Sequence, residues 1–484
     1  MKALLFTLNA SHAHSALAVR CLADALAAGG YPASVLEATP KDRTHTVLAK
    51  LCAANADLYG FSCYIWNIEP MLALAESLKA LRPDCRILLG GPEVSFATER
   101  FTALPFVDCV LTGEGEDAIL QAATLVAQGE PLPPLLCGKP YGGFTAPGIH
   151  YKAEETVGNL VYYESSRGCP FSCAFCLSGR GATTDDAAHR VRATSAETAL
   201  ADLAAFEAFP APLTVKLVDR TFNFDRERAK AIWRGLLSDT YTKCYHFEIA
   251  AHLLDEESFA ILRQFPKGKV RLEIGLQSTN QKTLCAISRH ADATAVLAAA
   301  KRLTEGGNLH VHLDLIAGLP HEDYASFARS FDAAYFCCDV LQLGFLKLLH
   351  GTPLREQATK NGTVFEQKAP YTVLKTRWLS FEELERLHAI SDLCERLRDS
   401  GRFPRTLSLL LPAFFTPFAF FEGFADHLAQ QTGKELQKIA QRELFSHLSA
   451  YARQNTPVQW HRAIGDALRA DFAACEVRRP PHDL

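Results

Sequence analysis

Residues 164–176 read ESSRGCPFSCAFC and hold three cysteines, Cys169, Cys173 and Cys176, in the spacing C-x3-C-x2-C. Three thiolates this close in sequence can each bind one iron of an iron–sulfur cube. The fourth iron then has no protein ligand, so it stays open to a substrate. The stretch therefore predicts a [4Fe-4S] cluster that reacts with a bound molecule rather than one that only carries electrons.

Structural zinc or accidental spacing could also account for the three cysteines. Structural zinc takes four ligands, usually as two close pairs, and no second pair follows this stretch. Accidental spacing has to be considered because the chain has 15 cysteines in 484 residues. The stretch follows an apolar run at 159–163 and contains Gly168 and Pro170, which is typical of a loop after a strand. These neighbours favour the cluster.

The stretch resembles the signature of the radical S-adenosylmethionine (SAM) enzymes, including the aromatic residue Phe175 just before the third cysteine. The resemblance implies that the open iron binds the amino and carboxylate groups of SAM. It implies that an electron from the cluster cleaves SAM to a 5'-deoxyadenosyl radical, and that a flavodoxin or ferredoxin supplies that electron. Phe175 is then expected to pack against the cluster or the adenine.

The composition indicates a folded protein with several domains. Hydrophobic residues make up 48% of the chain and charged residues 21%, so large cores can form. A length of 484 residues suggests about three domains. The formal net charge of -4 gives no whole-chain attraction to nucleic acid, although a local basic patch would suffice. The N-terminus lacks the pattern of a signal peptide, so we expect a cytoplasmic protein.

The longest apolar stretch, residues 407–421, contains Pro412 and Pro417 and is too short to cross a bilayer. We interpret it as core or as the wall of a substrate pocket. The alternative is a peripheral contact of its five phenylalanines with a membrane surface. No membrane partner is otherwise expected.

The first segment, 1–135, alternates short apolar runs with helical patterns. The runs lie at 2–8, 33–37, 58–63, 86–90 and 107–112, with helix patterns at 15–28 and 69–81 between them. This alternation predicts an α/β fold with a doubly wound, flavodoxin-like parallel sheet. Ligands of such sheets lie outside the carboxyl ends of the strands. A linker rich in Pro and Gly follows at 131–151.

The loops after the predicted strands resemble those of the cobalamin-binding domain found at the N-terminus of many radical SAM enzymes. Ser62 and the pair Gly90 and Gly91 match the family's Ser-x-Leu and Gly-Gly positions. The resemblance implies bound cobalamin, with these candidate contacts: Asn9, Ser11, Ser62, Tyr64, Trp66, Gly90, Gly91, Pro92, Glu93, Gly113, Glu114 and Gly115.

The Asp-x-His-x-x-Gly motif, which supplies a histidine ligand in other cobalamin proteins, is missing. With His12 in register, its Asp and Gly positions hold Ala10 and Ser15. Histidine ligation by His12 or His14 therefore stays open. Two alternatives follow: cobalamin bound with its lower face free, or a domain that has lost cobalamin and only supports its neighbour.

The second segment, 155–358, repeats strand-like and helix-like units six times, which fits the partial (β/α)6 barrel of radical SAM enzymes. The strands are predicted at 160–163, 214–218, 246–250, 270–275, 310–316 and 340–346. Chemistry in barrels gathers at the carboxyl ends of strands. The resemblance implies SAM contacts there, with these candidates: Phe175, Asp219, Glu248, Gln277, Ser278 and Gly318.

The third segment, 359–484, is mostly helical in pattern, with helices at 380–400, 424–445 and 448–472. It resembles a C-terminal region of uncharacterised role attached to some cobalamin-type radical SAM proteins. Arginines and two tryptophans in this segment suit RNA binding, but a solvated helix surface accounts for them as well: Arg377, Arg402, Arg405, Arg453, Arg478, Arg479, Trp378 and Trp460.

The leading hypothesis is a radical SAM enzyme that uses a [4Fe-4S] cluster, SAM and cobalamin to methylate an unactivated carbon of a small molecule or RNA. A second hypothesis is a radical reaction without methylation, such as a rearrangement or a sulfur insertion. A third is a binding protein that senses cobalamin or redox state. A sensor would not need an open iron facing a SAM site.

Overall fold

The computed structural model describes residues 1–140, 150–151, 160–178, 191–210, 213–433 and 435–475. Residues 141–149 of the predicted linker at 131–151 lie outside these ranges. The chain divides into two compact units. One is formed by Met1–Arg271, Lys347–Ala358 and Glu366–Thr372, and the other by Leu272–Leu346, Thr359–Phe365 and Val373–Leu484. The three domains proposed from the sequence stay a prediction.

A six-stranded parallel sheet occupies the N-terminal part of the first unit. Its strands are β1 (Ala3–Leu8), β2 (Ala33–Ala38), β3 (Leu58–Ser62), β4 (Arg86–Gly90), β5 (Cys109–Gly113) and β6 (Leu135–Gly138). Their order is β2-β1-β3-β4-β5-β6. Leu5 of β1 pairs with Val35 of the edge strand β2 on one side and with Gly60 of β3 on the other. The doubly wound sheet is confirmed, and β6 is a strand that the sequence pattern did not predict.

Helices cover both faces of this sheet: α1 (Leu17–Ala28), α2 (Thr44–Ala54), α3 (Ile68–Leu81), α4 (Thr98–Thr102) and α5 (Gly115–Gln128). Successive side chains of a strand point to opposite faces. Leu4 and Phe6 of β1 accordingly join one buried cluster, with side chains of α2 and α3, and Ala3 and Leu5 join another, with α1 and α5. The carboxyl ends of the strands are thereby left free for loops.

The second sheet has six strands in the order β14-β13-β12-β11-β10-β7. The strands of this region are β7 (Leu160–Tyr163), β8 (Ser166–Arg167), β9 (Arg192–Ala193), β10 (Thr214–Leu217), β11 (Cys244–Ile249), β12 (Val270–Gln277), β13 (His310–Ala317) and β14 (Val340–Phe345). The short β8 and β9 form a separate antiparallel pair. The six parallel strands are those of the predicted partial barrel.

The helices that alternate with these strands are α6 (Ala196–Ala205), α7 (Arg226–Leu236), α8 (Glu256–Leu262), α9 (Gln281–Ala286), α10 (Ala293–Glu305) and α11 (Tyr324–Tyr335). Each begins after a polar side chain that accepts a hydrogen bond from a backbone N–H of the first turn, namely Ser195, Asp225, Asp255, Asn280, Asp292 and Asp323. Such caps satisfy N–H groups that have no partner within the helix.

The remaining elements are α12 (Pro353–Glu356), β15 (Val364–Phe365), β16 (Val373–Lys375), α13 (Phe381–Leu393), α14 (Pro404–Leu410), α15 (Pro417–Thr432), α16 (Gln441–Asn455) and α17 (His461–Cys475). The predicted helix start at Ser380 is confirmed by a capping box with Glu383. The predicted helix at 424–445 is broken because Gly433 ends α15 with a φ of 57°. The predicted helix at 448–472 is broken because Pro457 separates α16 from α17.

The apolar stretch at 407–421 packs largely into the second unit. Leu407, Leu410 and Phe420 are buried, whereas Phe415 is 99% exposed. Among the described residues, no single helix has the length and apolarity to cross a membrane. The segments Pro404–Ala413 and Pro417–Thr432 reach that length and apolarity only when taken together, and a bend of 101° separates them.

Candidate functional site

A cavity of about 770 Å³ lies at the carboxyl ends of β1, β3, β4 and β5 in the first unit. Small-molecule sites usually span about 300–1,000 Å³, so this cavity, in the upper part of that range, has room for a large ligand. Ten predicted cobalamin residues line it: Asn9, Ser62, Tyr64, Trp66, Gly90, Gly91, Pro92, Gly113, Glu114 and Gly115. Ser11 and Glu93 are not in its lining. The loops that the sequence singled out thus meet around one space.

Glycines shape the wall of this cavity at two turns. Gly91 has a φ of 110°, and an added Cβ would lie 2.6 Å from the carbonyl oxygen of Cys63. Gly113 has a φ of 71°, and its Cβ would collide with the backbone of Gly138. Only glycine fits both conditions without strain. The aromatic rings of Tyr64 and Trp66 stack 4.4 Å apart beside these turns.

Glu93 lies outside the cavity in the protein interior and is 3% exposed. Its carboxylate accepts a hydrogen bond from the hydroxyl of Tyr371, and Arg100 donates to the same hydroxyl at 3.3 Å. Burial raises the pKa of Glu93 above its ordinary value. The structure therefore favours a packing role for Glu93 over the predicted contact with cobalamin.

The raised pKa of Glu93 predicts how stability depends on pH. The pKa of such a carboxyl group is higher in the folded protein than in the unfolded chain. Its contribution to stability is fully present at a pH below the pKa of the unfolded chain, and it is lost as the pH rises through the pKa of the folded protein. The variant Glu93→Gln keeps an acceptor for Tyr371 and does not titrate. We expect the urea midpoint of this variant to rise relative to that of the wild type as the pH increases from 5 to 8.

The control for this comparison is Glu76→Gln, because Glu76 is an exposed glutamate of α3. It should follow the wild type at both pH values. A Glu93→Gln midpoint that stays parallel to the wild type would contradict the proposed titration of the buried carboxyl group.

The first barrel strand and the segment before the cysteines also line the cavity. Tyr162, Glu164, Arg167 and Arg220 belong to its wall. None of them was predicted as a site residue. Leu160 and Tyr162 alternate with the buried Val161 and Tyr163, so the strand pattern could have indicated that Tyr162 faces away from the helices.

Of the two histidines in the first loop, only His14 lines the cavity. Its Nδ1 lies 2.6 Å from the hydroxyl of Tyr162. His12 is mostly exposed and lies 4.0 Å from Asp42. The structure therefore separates the roles of these two histidines.

Arg167 connects the loop after β5 with the start of the cysteine loop. Its guanidinium contacts Glu164 at 2.7 Å, Glu116 at 2.8 Å and Glu114 at 3.0 Å, and Arg192 also pairs with Glu114. Burial alone would raise the pKa of Glu116, yet the hydrogen bonds and charge of Arg167 bring it below its ordinary value. Burial outweighs the same partner at Glu164 and raises its pKa. The guanidinium of Arg167 thus outweighs the effect of burial on the pKa at Glu116 but not at Glu164.

Replacing Arg167 by methionine should destabilise the first unit, because partly buried carboxylates would lose their main counter-charge. We expect a loss of about 2 kcal/mol in the free energy of unfolding, the order of a hydrogen bond to a charged group. Arg167→Lys should recover only part of this, since an ammonium cannot replace a planar fork. Urea unfolding measures the change, with Arg226→Met at an exposed position of α7 as the control. Equal midpoints for Arg167→Met and Arg226→Met would refute the expectation.

The three predicted cluster cysteines lie together in the loop after β7 and β8. Cys169, Cys173 and Cys176 are partly exposed and form no disulfide. The Cys176 N–H donates to the Cys173 carbonyl at 3.0 Å, and the Cys169 sulfur lies 3.6 Å from the hydroxyl of Thr221. No group of three His, Cys, Asp or Glu in the described part of the chain could hold a single metal ion. In a cubane each thiolate binds a different iron, so this finding concerns mononuclear sites only.

Asp219 is fully buried beneath the start of the cysteine loop. Its carboxylate accepts hydrogen bonds from the N–H of Ser165 at 2.7 Å, from the N–H of Ser166 at 2.9 Å and from the Ser165 hydroxyl. Burial raises its pKa. These bonds give Asp219 a structural task in holding the loop, and its predicted contact with SAM stays a prediction.

The other candidates of the first unit are less constrained. Glu248, near the end of β11, pairs with Lys216 at 3.3 Å. Phe175 is partly buried within the cysteine loop. Their predicted contacts with SAM also stay predictions.

Three SAM candidates belong to the second unit. Gln277 ends β12 with a φ of 72°, and its buried Oε1 has no hydrogen-bond partner among the described residues. The Ser278 hydroxyl accepts from the N–H of Asn280 at 2.9 Å. Gly318 follows β13 with a φ of 90°. A strained backbone and an unpaired buried acceptor at a strand end are typical of a ligand contact, which favours Gln277.

Family models match three parts of the chain. Residues 4–123 match the B12 binding domain, residues 163–334 match the radical SAM superfamily, and residues 359–483 match a family described as a protein of unknown function, DUF4080. The chain therefore combines a B12 binding domain with a radical SAM domain, the combination found in cobalamin-dependent radical SAM enzymes. The cofactors of this family are a [4Fe-4S] cluster, SAM and cobalamin.

Methyltransferases occur among the relatives of this radical SAM enzyme. It is 25% identical over 310 residues to the 2-(S-pantetheinyl)-carbapenam-3-carboxylate methyltransferase of Streptantibioticus cattleyicolor, a match that spans 56% of this chain and 44% of that protein. It is 22% identical over 389 residues to an uncharacterized methyltransferase of Pyrococcus horikoshii, over 73% of this chain and 82% of that protein. The chain therefore spans less than half the length of the first relative.

The fold of this radical SAM enzyme is similar to that of a solved relative. The methyltransferase TsrM of Kitasatospora setae, with cobalamin and a [4Fe-4S] cluster bound, has a TM-score of 0.62 and 16% identity. The match covers 98% of this chain and 99% of that chain. This likeness confirms the fold class predicted from the sequence.

The residues of this radical SAM enzyme fit the cofactors of the family. The large cavity is walled by glycine turns whose backbone can approach a bulky ligand closely. The cysteine loop offers three thiols and no fourth, which suits a cube with one open iron. The unpaired Oε1 of Gln277 suits an ammonium or hydroxyl donor such as those of SAM.

Proposed function

We propose that this protein is a cobalamin-dependent radical SAM methyltransferase that methylates a carbon of its substrate. The observation that carries the proposal is the lining of the large cavity. Cobalamin-type loops and the segment that leads into Cys169 contribute to the same wall, through Gly90, Gly91, Glu164 and Arg167. A cofactor in this cavity would lie beside the start of the cysteine loop.

The bound cluster and SAM would supply a carbon radical that abstracts hydrogen, and cobalamin would carry the methyl group. Under this proposal, Cys169, Cys173 and Cys176 each bind one iron. Asp219 positions them indirectly, because its carboxylate fixes the backbone of Ser165 and Ser166 just upstream. The ion pairs of Arg167 hold the same segment against the loop after β5.

The SAM contacts under this proposal come from the strand ends. Gln277 accepts a hydrogen bond through its free Oε1, and Ser278, Gly318, Phe175 and Glu248 complete the predicted set. Asp219 also stays in the predicted set, although its carboxylate already accepts three hydrogen bonds from Ser165 and Ser166.

The cobalamin contacts under this proposal are the ten predicted residues that line the cavity. Tyr162 and Arg220, which the sequence did not single out, join them. His14, whose ligation the sequence left open, joins them as well. We propose a small molecule or RNA as substrate and a flavodoxin or ferredoxin as reductant, in the cytoplasm.

Anaerobic reconstitution tests the proposed function. The full chain is loaded with iron, sulfide and cobalamin and then mixed with SAM and a reductant. The products 5'-deoxyadenosine and S-adenosylhomocysteine are measured together with the bound corrinoid. We expect all three.

Each failure would favour a different function. Corrinoid binding without 5'-deoxyadenosine under any reducing condition would favour a sensor. The production of 5'-deoxyadenosine without corrinoid binding would favour a radical reaction that does not transfer a methyl group.

A further inference from the structure

A second cavity, of about 280 Å³, lies within the second unit between α16 and α17. Its wall includes Ser449 and Arg453 of α16 and His461, Arg462, Gly465 and Arg469 of α17. Residues four apart share one face of a helix, as do residues three and seven apart. The two helices therefore present these groups from facing stripes.

The wall of this second cavity is cationic. Three guanidinium groups line it, and its described lining contains no carboxylate. Asp466 lies nearby and pairs with Arg469 at 2.5 Å. Among the described residues, Arg462 makes no ion pair. Positive charge around the cavity thus exceeds the negative charge that faces it.

Gly465 keeps this cavity open. Glycine inside a helix costs about 1 kcal/mol relative to alanine, so its presence usually has a packing reason. Here an added Cβ would meet only guanidinium nitrogens of Arg469, at 3.6 and 3.8 Å. Close helix packing therefore does not require this glycine. The missing side chain instead leaves room beside the arginines.

His461 adds a ring with a fixed orientation at the start of α17. Its Nε2 lies 3.1 Å from the carbonyl oxygen of Thr456, which can only accept a hydrogen bond. The first backbone N–H of this 15-residue helix, that of His461, already donates to the carbonyl oxygen of Val458, so the attraction for an anion comes from the arginines.

We propose that this second cavity binds a phosphate group carried by a small phosphate ester. Arginine matches phosphate because its planar fork donates two parallel hydrogen bonds to two oxygens. The small volume suits one phosphate group rather than a run of nucleic-acid backbone. The proposal is independent of the chemistry at the cysteine loop.

Calorimetric titration of the full chain with its cluster reconstituted tests this proposal, at low ionic strength. The probes are inorganic phosphate, glycerol 3-phosphate and a single-stranded RNA oligonucleotide. Three variants are compared with the wild type. Arg462→Gln removes one fork, Gly465→Leu fills the cavity while keeping every charge, and Arg442→Gln removes an exposed arginine in the first turn of α16 as the control.

We expect the wild type and Arg442→Gln to bind phosphate and glycerol 3-phosphate alike. Arg462→Gln should weaken that binding by about tenfold or more, because it removes a charge-assisted hydrogen bond. Gly465→Leu should weaken it by about tenfold or more as well, because the leucine would occupy the space of the phosphate group. Circular dichroism verifies that the variants fold. If Gly465→Leu does not fold, the affinity of Arg462→Gln alone tests the proposal. No binding by the wild type, wild-type affinity in both cavity variants, or RNA binding that Gly465→Leu leaves unchanged would overturn the proposal.

Discussion

Serine at Cys169, Cys173 or Cys176 is expected to abolish cluster assembly and the formation of 5'-deoxyadenosine. Removal of a hydrogen-bond partner of a metal ligand already lowers metal affinity or activity by about 10–100-fold. Loss of a ligand itself should therefore lower them by more than about 100-fold. Serine keeps the size of the side chain but offers a poor ligand to iron. The iron content, the absorbance of the reconstituted cluster near 400 nm and the yield of 5'-deoxyadenosine measure the effect.

The matched control for these variants is Cys285→Ser. Cys285 is an exposed cysteine of α9, a helix of the barrel region outside the cysteine loop. This variant should keep the iron content and the yield of the wild type. Full 5'-deoxyadenosine formation by any of the three loop variants would reject the assignment of that cysteine to the cluster.

The sheets could be predicted because their signals are local. Apolar runs of four to seven residues alternate with helical patterns, and the strand ends carry glycines and small polar residues. Ten of the twelve cobalamin candidates therefore line one cavity. The strand β6 was missed because its sequence, Leu135–Gly138, is short and follows several prolines.

The polar contacts behind the site could not be predicted, because their partners are distant in sequence. Arg167 stands inside the cysteine stretch 164–176, yet its partners Glu114 and Glu116 lie 53 and 51 residues earlier. Asp219 was selected for its place at a strand end, but its partner Ser165 lies 54 residues away. Glu93 has the same property, since Tyr371 is 278 residues away. Position at a strand end predicts where a side chain lies, but not whether its hydrogen bonds are already made.

Gln277 shows the opposite case, where sequence and structure support each other. Residues 273–278, EIGLQS, resemble a Glu-x-Gly-x-Gln-Ser segment of this radical SAM subgroup, and this pattern selects Gln277. The structure adds a positive φ and an unpaired buried oxygen. A strained residue with an unused acceptor is costly unless a ligand repays it. Ser278, from the same pattern, already accepts a hydrogen bond. The two neighbours therefore carry different weight as SAM contacts.

The variant Gly90→Leu should separate cobalamin binding from SAM cleavage. Gly90 ends β4 in the wall of the large cavity, and an added Cβ would make only ordinary contacts with Leu111, at 3.7 Å and beyond. The backbone therefore tolerates a side chain, in contrast to Gly91, where a Cβ would collide with Cys63. The leucine would instead occupy space that a corrinoid needs. Overpacking of about 1–3 kcal/mol corresponds to an affinity loss of about 5- to 150-fold.

We expect Gly90→Leu to lose bound cobalamin and S-adenosylhomocysteine formation while it still yields 5'-deoxyadenosine, because the cluster cysteines lie outside the altered wall. Corrinoid absorbance after gel filtration and the two product yields distinguish these outcomes. Ser77→Leu, at an exposed position of α3, adds the same side chain away from the cavity and should behave as wild type. Unchanged cobalamin affinity in Gly90→Leu would contradict the assignment of this cavity to the corrinoid. Parallel loss of 5'-deoxyadenosine would instead show that the cavity and the cysteine loop depend on each other, as the ion pairs of Arg167 allow.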